Sequence, residues 1–110
     1  MTSPVVCERT YQTERDGQVR PVPVRWRKPV PDPRGDWACE YEIEWPDREP
    51  RISRAFGVDS VQALYLALQN VASELYTAKP AVFLFEPDDI LHLPTAGLED
   101  LESARTKGRS

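Results

Sequence analysis

The chain of 110 residues has one histidine, two cysteines and five glycines, and each scarcity removes a class of chemistry. His92 alone cannot supply a two-histidine zinc pair, and any histidine mechanism must use it. Cys7 and Cys39 are too few for a disulfide scaffold. The glycines at 17, 35, 57, 97 and 108 lie scattered, so neither phosphate-cradling glycine motif is present. No apolar run approaches the ~20 residues that cross a bilayer. The first residues form neither a basic nor an apolar leader, which predicts a cytoplasmic chain with reduced thiols. Lysine plus arginine number 14 against 18 acids, and this net charge of −4 argues against general nucleic-acid binding.

Eleven prolines are present, five of them between Pro21 and Pro33. The first half reads as strands. Segments 4–13 and 18–28 flank Asp16-Gly17, a hairpin signal because Asp-Gly supplies positive φ. Pro21 and Pro23 delete donors on one side, which predicts an edge facing loop or solvent. Val30 to Gly35 reads as a stiff connection. Over 36–45, Trp37, Cys39, Tyr41, Ile43 and Trp45 alternate with Ala38, Glu40, Glu42 and Glu44, giving one buried and one acidic face. Segment 51–57 follows a turn as its antiparallel partner, placing Arg51 or Arg54 across from the glutamates.

Residues 58–77 carry the helix, with Asp59 as N-cap and Gln62 completing a capping box. Val61, Leu64, Leu68, Val71, Ala72 and Leu75 form its apolar stripe, which needs a sheet to cover it. Ala81 to Phe85 reads as a strand buried on both faces, and 97–104 as one or two helical turns. The fold expected is α+β: an antiparallel sheet of about four to five strands with one main helix packed on one face. It would form a single domain over 1–104 with a frayed polar tail over 105–110.

Candidate chemistry is sparse. A Cys39–His92 dyad would need a thiol that alternation buries, where thiols are inert packing; His92, between Leu91 and Leu93, reads as half-buried. Glu86, Asp88, Asp89 and His92 resemble a hard-cation site in composition but lack calcium-loop spacing. Glu40, Glu42 and Glu44 read as a wet sheet face. Arg20, Arg25, Arg27 and Lys28 surround Trp26, a pattern for single-stranded nucleic acid, yet alternation turns Trp26 inward. The helix face away from the stripe holds Gln62, Leu66, Gln69, Asn70 and Ser73, without charge, and Tyr65 and Tyr76 flank it. Solvated helix faces usually carry lysine and glutamate, so this face predicts cover: by the C-terminal segment, by a second copy or by another protein.

Trp37-x-Cys39-x-Tyr41-x-Ile43, followed by Gly57-Val58-Asp59-Ser60-Val61-Gln62-Ala63-Leu64-x-Leu66-Ala67-Leu68, resembles an uncharacterised bacterial domain family of unknown function. Pro94-x-x-Gly97-Leu98 is similar to that family's ending. The resemblance implies a small bacterial protein and brings no activity. At fold level, the run of strands into a glycine, a cap and an alanine-containing helix from Tyr41 to Leu68 resembles HicB-type antitoxins. The sequence thus predicts a non-enzymatic protein-binding module, of immunity, antitoxin or adaptor type, or a self-associating domain. It would use no cofactor, nucleic acid or membrane, and its partner would be another protein or a second copy. The alternative is a small metal- or ligand-binding enzyme around Glu86, Asp88, Asp89 and His92.

Overall fold

A computed structural model describes residues 3–87 and 89–95. In chain order the elements are β1 (Val5–Arg15), β2 (Gln18–Arg27), β3 (Val30–Pro31), β4 (Trp37–Ile43), β5 (Arg51–Gly57), α1 (Ser60–Tyr76) and β6 (Val82–Phe83). All strand pairings are antiparallel. β5 pairs one edge of β4 along its length, β2 and the short β3 share the other, and β1 and then β6 continue the sheet beyond β2. The α+β architecture is as expected, with six strands where the sequence suggested four to five. The strand the structure adds is β3, inside the segment read as a connection. Residues 105–110, and 97–104 with their expected helical turns, lie outside the described residues.

Local chemistry explains most of these elements. Asp16 and Gly17 both take positive φ, 53° and 79°, forming the two-residue turn that joins β1 to β2. The Pro23 carbonyl accepts the Glu44 N–H at 2.9 Å, so the missing donors of Pro21 and Pro23 also face the β4 side. β4 pairs β2 from Val24 to Trp26, and neither proline interrupts that ladder. Along β4, Cys39, Tyr41 and Ile43 are buried under the helix as the alternation predicts.

Two expectations are corrected. The helix packs through Ala63, Ala67, Val71 and Leu75, while Val61, expected in the stripe, is 74% exposed. A Cβ on Gly57 would collide with the Ala63 backbone, so glycine and alanines let α1 lie close against β5 and turn Val61 away from it. The segment 81–85 is a strand buried on both faces only at Val82 and Phe83, and not over its expected length. Only Val82 and Phe83 pair, alongside Gln12 and Thr13 at the sheet edge, and Phe85 is 76% exposed. The strand stops because Asp89 captures the next amides: its carboxylate accepts the N–H groups of Leu84, Phe85 and Glu86 at 3.0, 2.8 and 3.1 Å. The chain then returns over the inner face of the sheet, burying Leu84 and Leu91 in the core.

Candidate interaction surface

The exposed side of α1 is built by what its N-terminus and its one charge do. Asp59 Oδ1 accepts the Gln62 N–H at 2.8 Å, and Gln62 Oε1 accepts the Val58 N–H at 2.7 Å, closing both ends of the cap. Glu74 is the helix's sole charged side chain. It turns toward the sheet, accepting from Arg51 Nε at 3.1 Å and from the Tyr41 hydroxyl at 3.2 Å. Val61, Gln62, Tyr65, Asn70, Ser73 and Tyr76 are left exposed, without a charge among them.

Of the five face residues read from the sequence, three are exposed: Gln62, Asn70 and Ser73. The other two are corrected. Leu66 is half-buried against the core. Gln69 is 6% exposed and donates to the Thr95 carbonyl at 3.3 Å. The returning segment therefore covers part of the face from within. It is tied to the helix again where the Leu91 N–H reaches the Tyr76 hydroxyl at 2.9 Å, and to β1 where the Tyr11 hydroxyl and Arg9 donate to the Leu91 carbonyl at 2.8 and 3.1 Å. Val61 was missed as a surface residue because helical periodicity places it with the apolar stripe. The close contact at Gly57 was the signal against that.

The metal-like residues do not assemble. Asp89's carboxylate is committed to three amides, which hold its pKa below the usual aspartate value, the Leu84 amide most of all. Glu86 is exposed, and Asp88 lies outside the described residues. His92, expected half-buried, is exposed with φ 56°, and its carbonyl accepts from Arg9 at 3.0 Å. Among the described residues, no three His, Cys, Asp or Glu side chains gather to hold a metal ion. Cys39 is fully buried and donates its thiol to the Arg27 carbonyl at 3.2 Å; burial pushes its pKa to about 11, far from a nucleophile's range. Nothing pairs it with the exposed His92.

The sheet face opposite α1 is ionic, and its partners are other than expected. Arg54 does stand across from Glu40 in register. The ion pairs, however, run to β2: Arg25 lies 2.6 Å from Glu44, 3.6 Å from Glu42 and 3.5 Å from Glu8, and Arg27 lies 3.4 Å from Glu40. The register that sets Glu8, Arg25 and Glu42 in one row across three strands produces this lattice. Acidic face and basic stretch thus answer each other, while Trp26 is buried between them and the helix side. Neither Glu40, Glu42 and Glu44 nor Arg25 and Arg27 stand as a free charged surface.

A family model ties these features together: the one described as a domain of unknown function, DUF6968, matches residues 7–82. The chain belongs to the DUF6968 family. No curated protein matches it, and no solved structure does. The DUF6968 match begins within β1 and ends at Val82, the first residue of β6, so it takes in most of the sheet and α1 with its exposed face, and stops before the Asp89-held turn. Among the described residues no helix is long and apolar enough to cross a membrane.

Proposed function

We propose that the chain is a non-enzymatic, cytoplasmic bacterial protein-binding module of antitoxin, immunity or adaptor type, whose contact surface is the exposed side of α1. The observation that carries this reading is the inward turn of Glu74, which leaves Val61, Gln62, Tyr65, Asn70, Ser73 and Tyr76 as an uncharged, partly aromatic patch. Interface centres are depleted of charge and enriched in tyrosine in this way, and Val61 and Tyr65, one helical turn apart, supply its apolar centre. The mechanism is occlusion: the patch covers a site on the partner, and the module's net negative charge steers association with a basic one.

The test is affinity purification of the tagged chain from its host, with mass spectrometry and light scattering, beside the double variant Val61→Asp/Tyr65→Asp. Both positions are exposed, so the variant is expected to keep its melting temperature within a few degrees and to lose the bound protein or second copy. A stable monomer that retains no protein overturns the reading. So does a partner that the double variant still binds.

A further inference from the structure

We propose a second, independent site: a cleft between the β1–β2 hairpin tip, the turn after β4 and the residues following α1, which binds a small oxyanion, the phosphate or carboxylate head group of a ligand. Its walls include Arg15, Arg20, Trp45, Asp47, Arg48 and Lys79. Four cations and one acid give a local excess of three positive charges in a chain whose net charge is −4.

Four cations gather in this cleft, and little answers their charge. Arg25 and Arg27 have the glutamates of the sheet, Arg51 has Glu74 and Arg34 has Asp32. In the cleft, Asp47 alone is shared between Arg15 and Arg48, at 3.5 Å from each. Charge-assisted pairs close to about 2.7–2.9 Å, so both contacts are loose. Arg20 reaches only the Gln18 amide oxygen, at 3.0 Å, and Lys79 has no ion-pair partner among the described residues. The fold brings these cations together from positions 15, 20, 48 and 79, and among the described residues of the cleft Asp47 is the one acid set against them. An oxyanion seated among them would relieve their mutual repulsion and accept from several donors at once.

The walls suit a head group in size and stiffness. The cleft has about 380 Å³ of space, part of it continuous with solvent, so a head group can approach the cations from outside while the rest of a ligand stays in solvent. Arg48 is stacked over the Trp45 ring at 4.5 Å, so one cation is already oriented.

The test is titration of the ¹⁵N-labelled chain with sodium phosphate and, separately, sodium acetate, at fixed pH and with ionic strength held constant by sodium chloride. Saturable shifts at Arg15, Arg20, Arg48, Lys79 and the Trp45 indole are expected. The arm that saturates at lower concentration tells phosphate from carboxylate. Arg20→Met/Lys79→Met removes two exposed donors and is expected to raise Kd about a hundredfold, roughly tenfold for each charge-assisted hydrogen bond lost. Val61→Asp/Tyr65→Asp should bind unchanged, so failure of the helix-face reading and failure of this one are separable. Linear, unsaturable shifts, shifts spread over every arginine, or an unchanged Kd in Arg20→Met/Lys79→Met would overturn the proposal.

Discussion

Asp89 holds three amides with one carboxylate, and this makes the end of β6 sensitive to acid. Its pKa is depressed in the folded chain, so protonation favours the unfolded turn. The stabilisation is fully present above the ordinary aspartate value, about 4, and is lost as pH falls through the lower folded-state value. Hydrogen exchange should therefore show the Leu84, Phe85 and Glu86 amides losing protection in that acidic window. Asp89→Asn, which keeps the size and removes the charge, should lower their protection already at neutral pH; equal protection in the variant would show that the carboxylate does not hold the turn. The thiols offer a second reading at this scale. Cys7 is exposed, although partial burial raises its pKa above the usual thiol value, whereas Cys39 is buried with its pKa raised to about 11. Iodoacetamide at pH 8 should add one label per folded chain, at Cys7, and two in guanidinium, as counted by mass spectrometry.

Among the elements, the approach of α1 to β5 depends on the absence of side chains. At Gly57 an added Cβ would meet the Ala63 nitrogen and the Gln62 backbone, atoms that cannot swing aside. Gly57→Ala should thus lower stability by roughly 1–3 kcal/mol, the usual effect of overpacking, in a denaturant titration. A loss below half a kcal/mol would mean that the helix shifts freely. The same contact shows which features could be read in the sequence. β4 was legible because each second residue from Trp37 to Trp45 is apolar, and a period of two leaves one solution. The cap was legible because Asp59 and Gln62 act within one turn. The rotation of α1 was not, since leucine and valine outrank alanine in any apolar stripe, whereas close packing selects the alanines. Nor was the length of β6, because a side chain five residues beyond Leu84 decides where it ends. For the candidate surface, local pattern showed that a helix face lacks charge. Which of its residues stay exposed depended on Thr95 reaching Gln69 across 26 positions.

Across the whole molecule, the two faces of one sheet are held by opposite physics. On the inner face Leu91 is buried beside the Tyr11 and Tyr76 hydroxyls that bind its backbone, in a core that excludes water. On the outer face Arg25 is the centre of a lattice with Glu8, Glu42 and Glu44, all of them reached by solvent. Salt screens exposed charges and leaves apolar burial intact or strengthened. Leu91→Ala should cost about 2–5 kcal/mol, from lost transfer energy and the cavity left behind, and the loss should be the same at about 50 mM and about 500 mM sodium chloride, between which the screening length falls from about 14 Å to about 4 Å. Arg25→Met should behave otherwise. It leaves Glu8 and Glu44 without their cation and Glu42 with Arg27 alone, at 3.9 Å, so much of the attraction that salt weakens becomes a repulsion that salt relieves. The wild-type melting temperature should fall as sodium chloride is first added, and that of Arg25→Met should rise over the same range. Parallel salt curves for the two proteins would mean that the ionic face contributes nothing to holding β1, β2 and β4 in register, and that the fold rests on its buried face alone.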